Sequence, residues 1–403
     1  MGAQLNFVEL PTEIIIHICN FLEAGFVRTV LSRVNRRLAQ LVSDPVLWKC
    51  RISARWPSKY PPIDPEEPSS WDWARACASR EKFTDQWSKH EASKEKVAVK
   101  GHYSSVDTVL LMEHGLLVTG SRDRSIALWN VQEMSQEKSG LIQKWSDVHK
   151  GWVWSLSKDD NNSSTLVSCG WDNTAHIWKL TTSEMVLDNS INCTTALLCS
   201  DIDSVSGTVI VGTFDKKVKM FDLRSAKPTV LSVKHHKLPV LSVAAFNSNY
   251  VISASEDGTL ALMDRRNKRV CKRLHFENGC YPMCMKLMDQ TSCLVVGDKS
   301  GNLYLIDARN LSKIKHLKSL HSNKITGIDV SIGGIVTTSS DKTVKVLQPD
   351  LSLNVITSIP AQDIGDVVSV SMDDDCLAAG SSSEMVQVWR PKTDDNSNQI
   401  KEN

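Results

Sequence analysis

Seven positions spaced along the greater part of the chain constrain its fold more than anything else in it. Trp129, Trp178, Phe221, Met263, Ile306, Leu347 and Trp389 follow one another at intervals of 49, 43, 42, 43, 41 and 42 residues. Around the first two, the same residue types return in the same order. Gly101-His102 leads to Thr119-Gly120-Ser121-Arg122-Asp123 and then Ile126-Ala127-Leu128-Trp129, while His149 leads to Ser168-Cys169-Gly170-Trp171-Asp172 and then His176-Ile177-Trp178. A unit of about forty residues cannot bury its apolar surface alone and must stack on copies of itself, and this period signals a propeller.

These units resemble WD repeats, each of which forms a four-stranded blade. The resemblance implies a seven-bladed all-β ring over residues 95–390, with no range left for an eighth blade. It also implies a buried hydrogen-bonded relay in each complete unit, made by a loop His, a strand Ser or Thr four residues before a turn Asp, and a Trp six residues after it. The first unit supplies His102, Thr119, Asp123 and Trp129, and the second His149, Ser168, Asp172 and Trp178. Two more keep three members: His236, Ser253 and Asp257 with Met263, and His321, Thr337 and Asp341 with Leu347. The other three are degenerate, one with Asp215 alone, one with Ser300 in the place of the Asp, and one with Ala379 facing Trp389. A half-satisfied buried network costs stability, so degenerate blades are expected to rest on apolar packing. Lys96-Val97-Ala98-Val99-Lys100 lies where the family places an outer strand, with no earlier blade of its own. It is expected to pair with the last blade, 366–390, and close the ring. Because four units repeat the same His and Asp with Ser or Thr, a Ser-His-Asp hydrolase, which needs its triad once, is disfavoured.

The first fifty residues follow a helical pattern instead. Pro11 suits the first turn of a helix and Glu13 its positive end. Ile14, Ile15, Ile18, Phe21 and Leu22 form one apolar stripe, and Phe26, Val27, Val30, Leu31 and Val34 a second after the break at Glu23-Ala24-Gly25. Three short helices of this size cannot bury so much apolar surface among themselves, so a partner must cover the rest. The segments Leu10-Pro11-Thr12-Glu13-Ile14-Ile15-Ile16-His17-Ile18, Val30-Leu31-Ser32-Arg33-Val34-Asn35-Arg36-Arg37 and Asp44-Pro45-Val46-Leu47-Trp48-Lys49 resemble an F-box, the module that docks a protein to the Skp-type adaptor of a cullin-based ubiquitin ligase. The resemblance implies a docking surface of Leu10, Pro11, Ile14, Ile15 and Ile18, with Leu47 and Trp48 anchoring the last helix.

Together these readings divide the chain into an F-box module (1–50), a proline-rich connector and linker helix (51–94), the propeller (95–390) and a disordered polar tail (391–403). Helix through about Lys89 is expected after Ser70, carrying Trp73, Cys77, Arg80 and Trp87, which either pack on both neighbours or complete the helical core. The fold class is therefore α+β multidomain, and the chain is similar to the F-box/WD-repeat family. That resemblance implies a non-catalytic substrate-recognition subunit of an SCF-type ligase, with a non-degradative scaffold that binds the adaptor as the alternative. The motif begins at Leu10, which leaves no room for an upstream dimerisation segment, so a monomeric receptor is expected. A formal net charge of +1 makes nucleic acid an unlikely main partner. Without an eighteen-residue apolar run or a secretory leader, no membrane partner is expected, and the chain belongs in the cytoplasm, the nucleus or both. Eleven scattered cysteines read as buried free thiols, with neither a zinc site nor any other cofactor implied.

In WD propellers, partners most often use the narrow top face. Counting from each turn Asp and loop His projects Arg122, Trp171, Phe214, Glu256, Lys299, Ser340 and Ser382 from the turns, and Ser105, Asp107, Trp152, Trp154, Pro239, Leu241, Lys324 and Thr326 from the loops. Three tryptophans from one blade, with Phe214 on the next, suggest an aromatic anchor site. Arg122, Lys299 and Lys324, interrupted by Glu256 and Asp107, make a thin phosphate clamp. The expected substrate-contacting residues are thus Arg122, Trp152, Trp154, Trp171, Phe214 and Lys324.

Overall fold

A computed structural model describes residues 10–392, apart from 66–70, 163, 182–183, 224–230, 278, 289, 362, 364 and 374. Of the tail expected over 391–403, Pro391 ends the last strand and Lys392 N donates to Ser93 O (3.1 Å), while the residues from 393 onward lie outside the described residues.

Seven four-stranded antiparallel sheets form the ring. The first consists of Val106–Leu111, Leu116–Ser121, Ile126–Asn130 and Leu141–Trp145, and five more follow in chain order. The seventh combines Val367–Met372, Leu377–Ser381 and Met385–Pro391 with Lys94–Lys100 from the other end of the propeller, Val97 lying opposite Val388 and Lys96 opposite Trp389. The chain's own sheet pairing thus closes the ring. Middle strands such as Leu116–Ser121 are buried on both faces because each blade packs on two neighbours, so their sequences run apolar where a half-exposed strand would alternate. Along the innermost strands, side chains of one blade accept backbone N–H groups of the next: Thr108 from Leu156 (3.1 Å), Ser155 from Ser200 (3.1 Å), Asp201 from Ala245 (2.7 Å) and Asp329 from Met372 (2.7 Å). These contacts satisfy inner-edge donors that no fifth strand covers.

The N-terminal module has more helical segments than its pattern predicts. Thr12–Cys19 is followed by Ala24–Phe26, which passes through a π-helical Val27–Leu31 into Ser32–Val34, and then by Arg36–Ser43 and Pro45–Arg55. Asn35 and Asp44 cap the last two, accepting from Arg37 N and Val46 N at 2.8 Å. The final helix runs beyond residue 50 because Arg51 and Ile52 are needed inside, packed with Ile15, Cys19, Leu38 and Trp48.

The connector is seated against the propeller: Tyr60 Oη donates to Ile332 O (2.7 Å) and Leu351 N to Lys59 O (3.0 Å). The linker helix, Trp73–Ser88, then touches both modules. Trp71, Ala76 and Cys77 join the core of the N-terminal helices, whereas Phe83 and Trp87 join the core between the sixth and seventh blades. Two adjacent residues make the junction polar as well. Arg80, fully buried, pairs with Asp350 (2.8 Å) and Gln348 (3.0 Å) of the sixth blade, with Trp56 and Tyr60 against its guanidinium. Glu81 pairs with Arg51 and Arg55 and accepts Ala24 N (2.8 Å). The helix approaches closely because Gly334 has no side chain; a Cβ there would stand 1.9 Å from the Phe83 ring.

Candidate functional site

The relay residues come together as their spacing anticipates. In the first blade His102 Nδ1 lies 3.1 Å from Asp123 Oδ2 and its Nε2 2.7 Å from Thr119 Oγ1, which also accepts Trp129 Nε1 (2.8 Å). In the second, His149 bridges Asp172 (3.0 Å) and Ser168 (2.8 Å), and Trp178 donates to Ser168 (3.0 Å). His236 and His321 do the same with Asp257 and Ser253, and with Asp341 and Thr337. A further member went unread in the sequence: the hydroxyl two residues after each Asp, from Ser125, Thr174, Thr259 or Thr343, donates to that carboxylate at 2.5–2.7 Å. Burial disfavours the charged form of Asp123, but hydrogen bonds from His102, Ser125 and Tyr103 N–H outweigh it and hold the carboxyl far below its ordinary range. These bonds tie each Asp turn to the His loop before it, with Tyr103 N donating to Asp123 (3.0 Å) and Lys150 N to Asp172 (2.8 Å).

The degenerate blades do not all fall back on apolar packing. Beside Ser300, Asp298 two residues earlier is buried and accepts Tyr304 Oη (2.9 Å), Asn302 Nδ2 (2.7 Å) and Ser300 N (2.8 Å). Asp215 is held locally by Thr213 (2.5 Å) and Lys217 (2.6 Å). The reason is that a turn can satisfy its own backbone donors from more than one position, so loss of the His does not require loss of a carboxylate.

Each innermost strand carries a register irregularity at its second residue: Asp107, Trp154, Leu198, Leu241, Met283, Thr326 and Val368. All seven line one cavity of about 620 Å³ at the mouth of the ring, along with Ser105, Arg122, Lys324, Ser340 and Ser382. A bulge re-aims one side chain per strand, and here it aims seven at one centre. Leu198, Met283 and Val368 went unread because their blades lack the loop His from which the other positions were counted. Pro239, by contrast, is buried, with its carbonyl accepting Glu256 N (3.1 Å).

Beside the mouth the predicted aromatics form a continuous cluster. Trp152 and Trp171 meet at 5.7 Å, Trp154 and Trp171 at 5.8 Å, and Trp171 and Phe214 at 5.7 Å between ring centroids. Trp152, Trp171 and Phe214 are 42%, 37% and 50% exposed, whereas Trp154 is half-buried in the cavity wall. Arg122 stands over Trp152 and Trp154 at 5.0 and 5.3 Å, with its Nε and Nη2 on Asp107 at 2.8 and 3.2 Å. Lys324 lies across the mouth, in the cavity lining.

The second open face belongs to the N-terminal helices. Ile14, Phe21, Phe26, Val30, Val34 and Val46 are all exposed, Phe21 by 78%. Pro11 is exposed, and Leu10 and Ile18 are half-buried beside them. Ile15, Leu47 and Trp48, expected at or next to the docking surface, point inward at 1%, 6% and 1% exposure, Trp48 donating its Nε1 to Val42 O (2.7 Å). The correction is geometric: successive residues of a helix lie about 100° apart, so Ile14 and Ile15 cannot share one narrow face.

Among the described residues, one set could hold a metal by donor type: His149, Asp172 and His176, with their donor atoms within 4.8 Å of one another. Its donors are already engaged, His176 with Ser190 Oγ (2.7 Å) and Val148 O (3.2 Å), and His149 and Asp172 with each other. Burial, then the proximity of His149, pushes the His176 imidazole down to about 4. The cysteines are less uniformly buried than expected, Cys50 and Cys271 being exposed. No described helix is long and apolar enough to cross a membrane.

With this geometry in place, similarity to known proteins is decisive. Residues 7–52 match the F-box-like family model, and 93–130, 141–179 and 227–264 match the WD domain, G-beta repeat model. The chain is 33% identical over 96% of its length to F-box/WD repeat-containing protein 9 of Homo sapiens, covering 83% of that protein. The chain belongs to the F-box/WD-repeat family. A Bos taurus protein of the same name is 32% identical over 96% of the chain and 83% of its own length. The F-box/WD repeat-containing protein mec-15 of Caenorhabditis elegans is 25% identical, with 77% of each chain covered. In fold, the propeller resembles the WD40 domain of Doa1, with a TM-score of 0.63 and 19% identity, covering 75% of this chain and 98% of that one.

Proposed function

We propose that this chain is a substrate receptor of a cullin-based ubiquitin ligase, docking to a Skp-type adaptor through its helical module and capturing substrate on the propeller's top face. The observation that carries this reading is the placement of two open faces at opposite ends of one connected body. The linker helix grips the sixth and seventh blades at Gly333, Gly334, Asp350 and Asp375, on loops at the end of the ring away from the turns of Arg122, Trp171 and Phe214. Supplying no catalytic residue, the receptor acts by proximity: a substrate held beside the charged conjugating enzyme reacts intramolecularly.

The docking half is tested by Ile14→Asp with Phe21→Asp. Both side chains are exposed, so the double variant should keep its melting temperature and lose co-purification of the adaptor; retention of the adaptor overturns the assignment. The receptor half is tested by inhibiting the cullin, when partners captured by the propeller should accumulate. Stable partner levels would instead favour a scaffold.

A further inference from the structure

The aromatic cluster opens directly onto the cavity mouth, and the two together specify an occupant. Four consecutive bulge residues, Trp154, Leu198, Leu241 and Met283, are apolar, so from the second blade to the fifth the mouth forms a slot with four apolar side chains in its wall, Ser155 and Ser242 lying beside them. Above it, Trp171, Phe214 and Leu238 stand 37%, 50% and 41% exposed on the second, third and fourth blades. Lys150, Lys216 and Lys237 directly follow the loop or turn residues His149, Asp215 and His236 of the same three blades. Their ammonium groups have no ion pair among the described residues. Of the carboxylates nearby, Asp147 pairs with Arg124 and half-buried Asp215 with Lys217, while Glu256, Glu277 and the cavity-lining Asp366, toward the fourth, fifth and seventh blades, have no ion pair among the described residues.

Resting on the reading of this face as the capture site, we propose that it binds unphosphorylated acidic peptides bearing bulky apolar side chains. One apolar side chain enters the slot, another lies on Trp171 and Phe214, and Asp or Glu side chains between them meet the three lysines. A basic peptide would face those lysines, and the cation position over Trp152 and Trp154 is already taken by Arg122. A phosphate needs several donors converging on one centre. Here the lysines stand one to a blade, and Asp107 already engages two nitrogens of Arg122.

The test uses the full chain and three labelled synthetic peptides that share the same apolar residues but carry Glu, Lys or a single phosphoserine between them, read by fluorescence anisotropy. The Glu peptide should bind about tenfold or more tighter than the Lys peptide and weaken with added salt. Trp171→Ala and Leu241→Ser should each weaken it by about tenfold or more. Combined Lys150→Glu, Lys216→Glu and Lys237→Glu should reverse the preference without lowering the melting temperature. Equal binding of Glu and Lys peptides, with Trp171→Ala still weakening both, overturns this inference and leaves the capture face standing. Tightest binding by the phosphoserine peptide, lost on Arg122→Glu, also overturns it. If Trp171→Ala changes the binding of no peptide, the capture face and the inference fall together.

Discussion

Single carboxylates hold the loops on which the top face is built. Asp123 receives His102, Ser125 and the Tyr103 amide, so Asp123→Ala strands buried donors and should cost about 1–3 kcal/mol. In the fifth blade the same loss is expected from Asp298→Ala, because Asp298 holds Tyr304 and Asn302. Ser300→Ala should be nearly neutral, since its side chain meets only Cys280 Sγ among the described residues. Urea denaturation of the three variants checks this: a Ser300→Ala loss equal to that of Asp298→Ala would show that the acid of this blade has been misplaced.

At the scale of elements, the linker helix joins the two modules through buried contacts on both sides. Glu81 is the buried counter-charge of Arg51, so Glu81→Ala leaves a guanidinium unpaired inside the junction and should destabilise by about 3–5 kcal/mol. Gly334→Ala tests the other side without touching a charge. Its methyl group would meet the Phe83 ring, so the helix must lift from the sixth blade. Limited proteolysis should then cut between residues 56 and 94 faster in both variants than in the parent chain, while isolated-propeller fragments remain resistant. Unchanged cleavage would mean that the junction does not depend on these contacts.

For the whole molecule, buried imidazoles set the response to acid. Burial is the first cause that lowers His176, to about 4, and it also lowers His235, to about 3, together with His236 and His321. A group whose folded pKa lies below its unfolded value of about 6.5 binds more protons unfolded than folded. The stability it contributes is therefore full above that value and declines as pH falls toward the folded pKa. The melting temperature should drop between about pH 6.5 and 4, before carboxylate protonation dominates. His176→Ala, which installs the residue that blade one carries at Ala127, should flatten this slope; an unchanged slope would assign the acid sensitivity elsewhere.

The sequence by itself determined the number of blades, the His, Ser or Thr, Asp and Trp of the complete relays and the ring-closing strand, because each depends on a repeat period or on residue types at fixed offsets, whereas the added hydroxyls and Asp298 emerged only from the structure. Lys94–Lys100 had no other blade to join, and a His, a Ser or Thr and an Asp at constant spacing can meet only one way in a four-stranded blade. Two further readings needed the tertiary structure. Which isoleucine faces a partner turns on helix phase and on what lies behind, and the linker helix covers the side that Ile15 and Trp48 occupy. The mouth of the ring depends on seven bulges in strands far apart in sequence. Local spacing carries no trace of Leu198, Met283 and Val368 converging there, since convergence is a property of the closed ring and not of any one blade.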